Sequence, residues 1–299
     1  MPFTAAVPLL AGSLLLAAAA PSAAVPNQIG GLGGVLVGGG VALGAYDYPI
    51  EANKKITVER YLLKPGEIIR WGERPSTIVV IPQGGDLVNY PSCDLQYPMA
   101  AGQANWLPRS QYAWSLEGVT ANQTDAPVEV VAIISDVPGV AQRVDQLHRE
   151  GGEGPPEPDP QPASGCPQGA AASPVEVVSG IASAGARPAT IDHDQVAVHR
   201  YTLPAGSSTG WHFIPDPGFI LPVSGTVTMR QDCGAGTPIQ PGQARLHSAD
   251  ADPHLLVNTG TETAEFFAVI FSIPNPYPVA LPDTVPGPPP SDCPESLLD

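Results

Sequence analysis

The chain has 299 residues, 43% hydrophobic and 14% charged, with 29 carboxylates against 13 lysines plus arginines and a formal net charge of −16. That balance opposes binding to nucleic acid or to an anionic membrane surface, and no basic run reverses it. Its 37 prolines and 32 glycines predict many turns and linkers and argue against long helices, in a chain long enough for two compact domains.

Residues 1–24 read as a signal peptide. The apolar run from Leu9 to Ala20 is too short to span a bilayer comfortably, and the small residues Ser22 and Ala24 suit cleavage near Ala24. A secreted protein without stable membrane insertion is expected. An uncleaved anchor is the alternative, because no Lys or Arg precedes the apolar run.

Beyond that segment the chain repeats itself at a shift of 140 residues. Ile56–Gly66 (ITVERYLLKPG) lies over Val196–Gly206 (VAVHRYTLPAG), Trp71 over Trp211, and Pro82–Gly85 over Pro222–Gly225. Cys93 meets Cys233, and Pro98–Ala104 meets Pro238–Ala244. After a four-residue slip in one loop, Glu129–Pro138 lies over Glu265–Pro274. This is a tandem duplication. Within each copy ITVERYLL alternates as a half-buried strand does, while TIVVIP, FILPV and FFAVIFSIP are apolar runs bounded by turn residues. Many short strands predict an all-β sandwich or barrel, and each copy is the size of one small jelly roll.

The boundaries follow: a first barrel at 28–138, a linker at 139–173 with Cys166, a second barrel at 174–274, and a Pro-rich tail at 275–299 with Cys293. The linker opens with Gly139–Glu150, read as a short helix, and continues through the Pro-rich, acidic Gly152–Gly165. Each copy thus owns one barrel cysteine and one tail cysteine. Four cysteines allow three connectivities; the repeat favours Cys93–Cys166 and Cys233–Cys293, with Cys93–Cys293 as the main competitor. They are widely spaced and contain no Cys-x2-Cys, which argues against a metal role.

In the second copy Gly206 is followed after five residues by His212, then Ile214, Gly218 and Gly225, and later by His254-Leu-Leu-Val-Asn258. This resembles the two motifs of the cupin family, G-x5-H-x-H-x3,4-E-x6-G and a second motif ending H-x3-N. The resemblance implies two tandem cupin-type jelly-roll β-barrels joined by a Pro-rich linker. It places the four metal ligands at His212, Ile214, Gly218 and His254, so only the two histidines can serve. In the first copy the same places fall on Gly72, Arg74, Ile78 and Trp114, which implies a structural barrel.

A divalent metal in the second barrel would need a third donor. His247 is the best candidate and Asp216 a weaker one, although His247 reads first as an outward-facing strand residue. Trp211, Ile214, Gly218 and Asn258 are the candidate pocket residues, with Trp71 and Trp211 expected to pack at the barrel mouths. His148, His193 and His199 read as solvated, and Asn122-Gln-Thr as a glycosylation sequon. Three functions stay open. The leading one is an exported protein with degenerate sites that binds a small molecule or serves a structural or interaction role, because Ile214 and Gly218 replace ligands. The second is an oxygenase-like metal enzyme acting through the second barrel; the third is a metal-free isomerase or epimerase with a histidine base. The family resemblance further implies edge-to-edge pairing of barrels, either in a homodimer or between the two repeats within one chain.

Overall fold

The computed structural model describes residues 33–42, 46–47, 50–71, 76–92, 95–107, 118–136, 165, 167–185, 189–190, 195–213, 217–247, 253–273 and 285–286. The expected signal peptide, the expected helix at 139–150, Arg74, Trp114, His148, His193, Ile214 and Asp216 lie outside them, as do Cys93, Cys166 and Cys293. The described chain is all-β, with no helix among the described residues.

The first half runs β1 Gly33–Ala42, β2 Tyr46–Asp47, β3 Lys55–Leu63, β4 Ile68–Arg70, β5 Ser76–Gln83, β6 Leu87–Ser92, β7 Leu95–Met99, β8 Gln103–Leu107, β9 Val119–Ala121 and β10 Val128–Asp136. The second runs β11 Glu176–Ala182, β12 Ala189–Thr190, β13 Gln195–Leu203, β14 His212–Phe213, β15 Gly218–Ser224, β16 Val227–Arg230, β17 Thr237–Ile239, β18 Gly242–His247, β19 Leu255–Asn258, β20 Ala264–Ile273 and β21 Val285–Pro286. Ten strands close into one barrel, in the order β1-β13-β20-β15-β18-β11-β3-β10-β5-β8.

That ring is shared between the halves. β1 pairs antiparallel with β13 of the second half (Gly34↔Tyr201, Gly40↔Val196), and β11 pairs with β3 of the first (Glu176↔Arg60, Gly180↔Ile56). The pattern of short strands predicts closure within each half. The first strand of each half instead finds its long antiparallel partner in the other copy, which alternation along one strand cannot reveal. Short parallel contacts, β1 with β8 and β11 with β18, complete the ring. Gly40 and Gly180 stand at these contacts, where an added Cβ would lie 2.7 Å from the Ala104 nitrogen and 2.4 Å from the Gln243 carbonyl oxygen. Only glycine lets the backbones approach that closely.

Three cores result. The inner face of the ring is filled from both halves, by Ile56, Val58, Val131 and Ile133 against Phe219, Phe267, Val269 and Phe271. The opposite faces of the same strands pack under smaller sheets. β4-β9-β6-β7 covers Tyr61, Leu63, Val80 and Val130 in the first half; β17-β16-β19 covers Tyr201, Ile220, Phe266 and Ala268 in the second. β20 buries both faces, which explains why FFAVIFSIP is continuously apolar. Each fully buried Phe there contributes roughly 1.5–3 kcal/mol.

At one end of the ring, residues at equivalent repeat positions form an ion-pair cluster. Glu176, on the exchanged β11, meets Arg60 at 2.6 Å and Arg200 at 3.0 Å, while Arg200 also bonds Glu265 and Arg60 lies 4.0 Å from Glu129. Hydrogen bonding to Glu265 is the main cause raising the Arg200 pKa.

Candidate functional site: a buried histidine trio

Inside the second half, between the large sheet and β17-β16-β19, three histidines come together. His212 opens β14 and His254 immediately precedes β19; each donates its backbone N–H to the other's carbonyl at 2.9 Å. Their rings lie at 4.3 Å between centroids, and the His254 ring lies 4.1 Å from that of His247 at the end of β18. His247 Nε2 and His254 Nδ1 are hydrogen-bonded at 3.2 Å. His212, His247 and His254 expose 3%, 2% and 2% of their surface. The outward-facing reading of His247 is therefore wrong. Ala244 packs in the ring core and Leu246 against it, so the alternation of β18 turns Arg245 and His247 into the second half's interior.

His212 Nδ1 donates to the Gly210 carbonyl at 2.8 Å and lies 3.2 Å from Thr209 Oγ1, which accepts from the Leu256 N–H at 3.0 Å. A proton on Nδ1 leaves Nε2 as the acceptor of a neutral ring. Burial pushes the His212 pKa below its ordinary 6.5, and the Gly210 hydrogen bond offsets this only in part. At pH 7 the ring is neutral.

Gly218 of β15 faces His247 across the strand pair. A Cβ on Gly218 would stand 2.5 Å from the Val269 carbonyl oxygen, so no carboxylate side chain fits where the family motif has its glutamate. Among the described residues no group of three His, Cys, Asp or Glu side chains is arranged to hold a metal ion. Of the described donors, His247 Nε2 and His254 Nδ1 approach each other, His212 Nδ1 bonds the backbone, and the Gly218 position is closed to a carboxylate, so the described residues present two converging nitrogens and not a three-donor set.

Asn258, a candidate pocket residue, pins a turn. It is fully buried; Nδ2 donates to the carbonyls of Leu203 at 2.8 Å and Glu262 at 2.7 Å, and Oδ1 accepts from the Gly260 N–H at 2.9 Å. Asn122 does the same in the first half, donating to Leu63 and Ala126 at 2.8 Å and accepting from Thr124. Fully buried with both amide hydrogens engaged, Asn122 is no glycan acceptor in the folded chain. This equivalence also corrects the place of His254 in the first half. Four residues before Asn122 stands Gly118, whose carbonyl accepts from Trp71, so the four-residue slip precedes this strand and Trp114 is not the counterpart.

Trp71 and Trp211 are both buried, and Trp71 Nε1 donates to Thr120 Oγ1 at 2.8 Å. His199, read as solvated, is 1% exposed in β13, with Nδ1 2.9 Å from the Tyr201 hydroxyl. The first half places Glu59 and Tyr61 at the same two positions, likewise hydrogen-bonded. β13 lies between β1 and β20, so the edge-strand reading of its histidine fails. Arg245 escaped the sequence reading altogether; its signal was the i, i+2 spacing to His247. Cys233 is disulfide-bonded.

No protein-family model matches the chain, and no curated protein matches it. Solved structures similar to it include cupin and double-stranded β-helix proteins. TT1209 from Thermus thermophilus is 21% identical over 26% of this chain and 74% of its own length, with a TM-score of 0.24. An uncharacterised conserved protein with a double-stranded β-helix domain from Klebsiella pneumoniae is 21% identical over 26% and 68%, with a TM-score of 0.24. An RmlC-like cupin family protein from Methanocaldococcus jannaschii is 18% identical over 26% and 70%, again at 0.24. These likenesses concern strand architecture over about a quarter of the chain and carry nothing about its chemistry.

Proposed function

We propose that the protein binds a small polar molecule in the interior of its second half, at His212, His247 and His254, with the first half as structural support. The observation that carries this reading is the trio itself: three buried imidazoles in ring contact, His247 bonded to His254 and His212 to the Gly210 carbonyl, beside a Gly218 that admits no carboxylate. Buried imidazoles offer donors and acceptors to a polar guest in a low-dielectric interior, where such bonds are strong. The first half has Gly118 and Ile78 at the matching positions and offers no such set. In this reading the halves are cupin-type jelly rolls linked through a Pro-rich segment, exported after cleavage near Ala24, with Cys93–Cys166 and Cys233–Cys293 tying each tail to its barrel.

The competing reading is a divalent metal centre. It draws on the 3.2 Å between His247 Nε2 and His254 Nδ1, close to the spacing of two nitrogens on one tetrahedral zinc. Elemental analysis of purified full-length protein, beside His212→Ala and His254→Ala, separates the two. Substoichiometric metal in all three, with ligand-induced thermal shifts lost in the alanine variants, supports binding. Stoichiometric metal lost on either substitution would replace the binding reading with the metal one.

A further inference from the structure

Arg245 and His247 are two residues apart on β18 and face the interior together, opposite Ile220 and Gly218 of β15. Arg245 is partly buried, and its Nε is fully buried with no hydrogen-bond partner among the described residues. Arg230 Nε on β16 is likewise buried without a partner among the described residues, but Arg245 stands beside His247 on the interior face of β18. Carboxylates outnumber lysines plus arginines by 29 to 13, and Arg60 and Arg200 at the ring mouth are both ion-paired. A buried guanidinium N–H without an acceptor is costly, and its natural complement is an oxyanion.

The repeat supplies a second, independent observation. At the position of Arg245 the first half has Asn105, whose amide is satisfied by the carbonyls of Gln103 at 2.9 Å and Val80 at 3.4 Å. At the position of His247 it has Leu107, and at that of His199 it has Glu59. Duplication has thus produced one interior that carries an acid and one that carries a base-rich set: His199, His212, Arg245, His247 and His254, with no carboxylate among these interior positions.

We propose that the ligand of the second half is a small carboxylate or comparable oxyanion, anchored by the Arg245 guanidinium and hydrogen-bonded by the histidine trio. This rests on the binding reading given above and names its ligand class. A planar guanidinium presents paired N–H groups that match the two oxygens of a carboxylate, whereas a neutral amide or sugar leaves the charge uncompensated. The acidic surface repels anions at long range, so selectivity must come from this interior contact.

The test is calorimetric titration of the full chain with acetate and malonate, beside acetamide and malonamide, on wild type and on Arg245→Gln, Arg245→Lys and His254→Ala. The carboxylates are expected to bind about tenfold or more tightly than the amides, and Arg245→Gln to lose about that factor with an unchanged melting temperature. Arg245→Lys, which keeps the charge without the fork, should fall between, and it carries the test if Arg245→Gln fails to fold. Equal binding of acids and amides, or full affinity in both Arg245 variants, overturns the anion inference while binding lost in His254→Ala sustains the binding reading. No binding of any of the four probes overturns both.

Discussion

Asn258→Ala removes a side chain that holds three backbone groups at once, and it separates a pocket role from a turn-pinning one. Two donations from Nδ2, at 2.8 and 2.7 Å, and one acceptance at Oδ1, at 2.9 Å, are lost together. Each such bond has a net worth of about 1 kcal/mol, and the Leu203 carbonyl is left to find another partner within the fold. Glu262 is exposed, so its carbonyl recovers a water. The loss sums to about 3 kcal/mol, or a fall of roughly 6–12 °C in the melting temperature of a chain this size. Differential scanning calorimetry and urea unfolding read it directly. Asn122→Ala is the matched control, since it breaks the same pattern in a half that carries no histidine trio, and it should lose about as much. If Asn258→Ala lost less than about 1 kcal/mol while abolishing ligand binding, Asn258 would be a pocket residue and the account of this turn would be wrong.

Gly218→Glu introduces a carboxylate at a site where a Cβ meets the Val269 carbonyl at 2.5 Å. We expect a loss of about 2 kcal/mol or more and no gain in bound metal; a stable variant with one ion per chain would contradict the steric argument. The depressed His212 pKa makes stability depend on pH in one direction. Above its ordinary 6.5 the ring is neutral folded and unfolded alike; below 6.5 the unfolded chain takes the proton first, so stability falls with pH until the lower folded pKa is reached. Urea midpoints between pH 7.5 and 5 should therefore decline less in His212→Gln than in wild type, and parallel declines would refute the assignment. Finally, β1 and β11 are each seated in the other half's sheet, so the full chain should unfold in one transition. Residues 28–138 or 174–274 expressed alone should give poorly dispersed NMR spectra. Two well-separated transitions, or a well-folded isolated half, would show the exchange to be dispensable.

Much of this protein is legible in its sequence. Short strands show because apolar runs and period-two alternation are local, and the duplication shows because paired glycines, prolines and tryptophans keep their register. His212 and His254 stand out by spacing to glycines and to Asn258, all local along the chain. Other features depend on which face of a strand meets which neighbour. His247 reads as outward until Ala244 and Leu246 are known to fill the ring core, which assigns the other face of β18 to the interior. His199 reads as an edge residue until β1 of the other half covers that edge. Strand exchange itself leaves no mark in a periodic pattern, because the hydrogen bonds of a strand are made by backbone that is the same in every residue. The sequence by itself thus determined an all-β duplicated fold and two of its three central histidines. Only the tertiary structure decided the shared ten-strand ring, the third histidine and the inward-facing Arg245, because each depends on side-chain burial between strands remote in the chain.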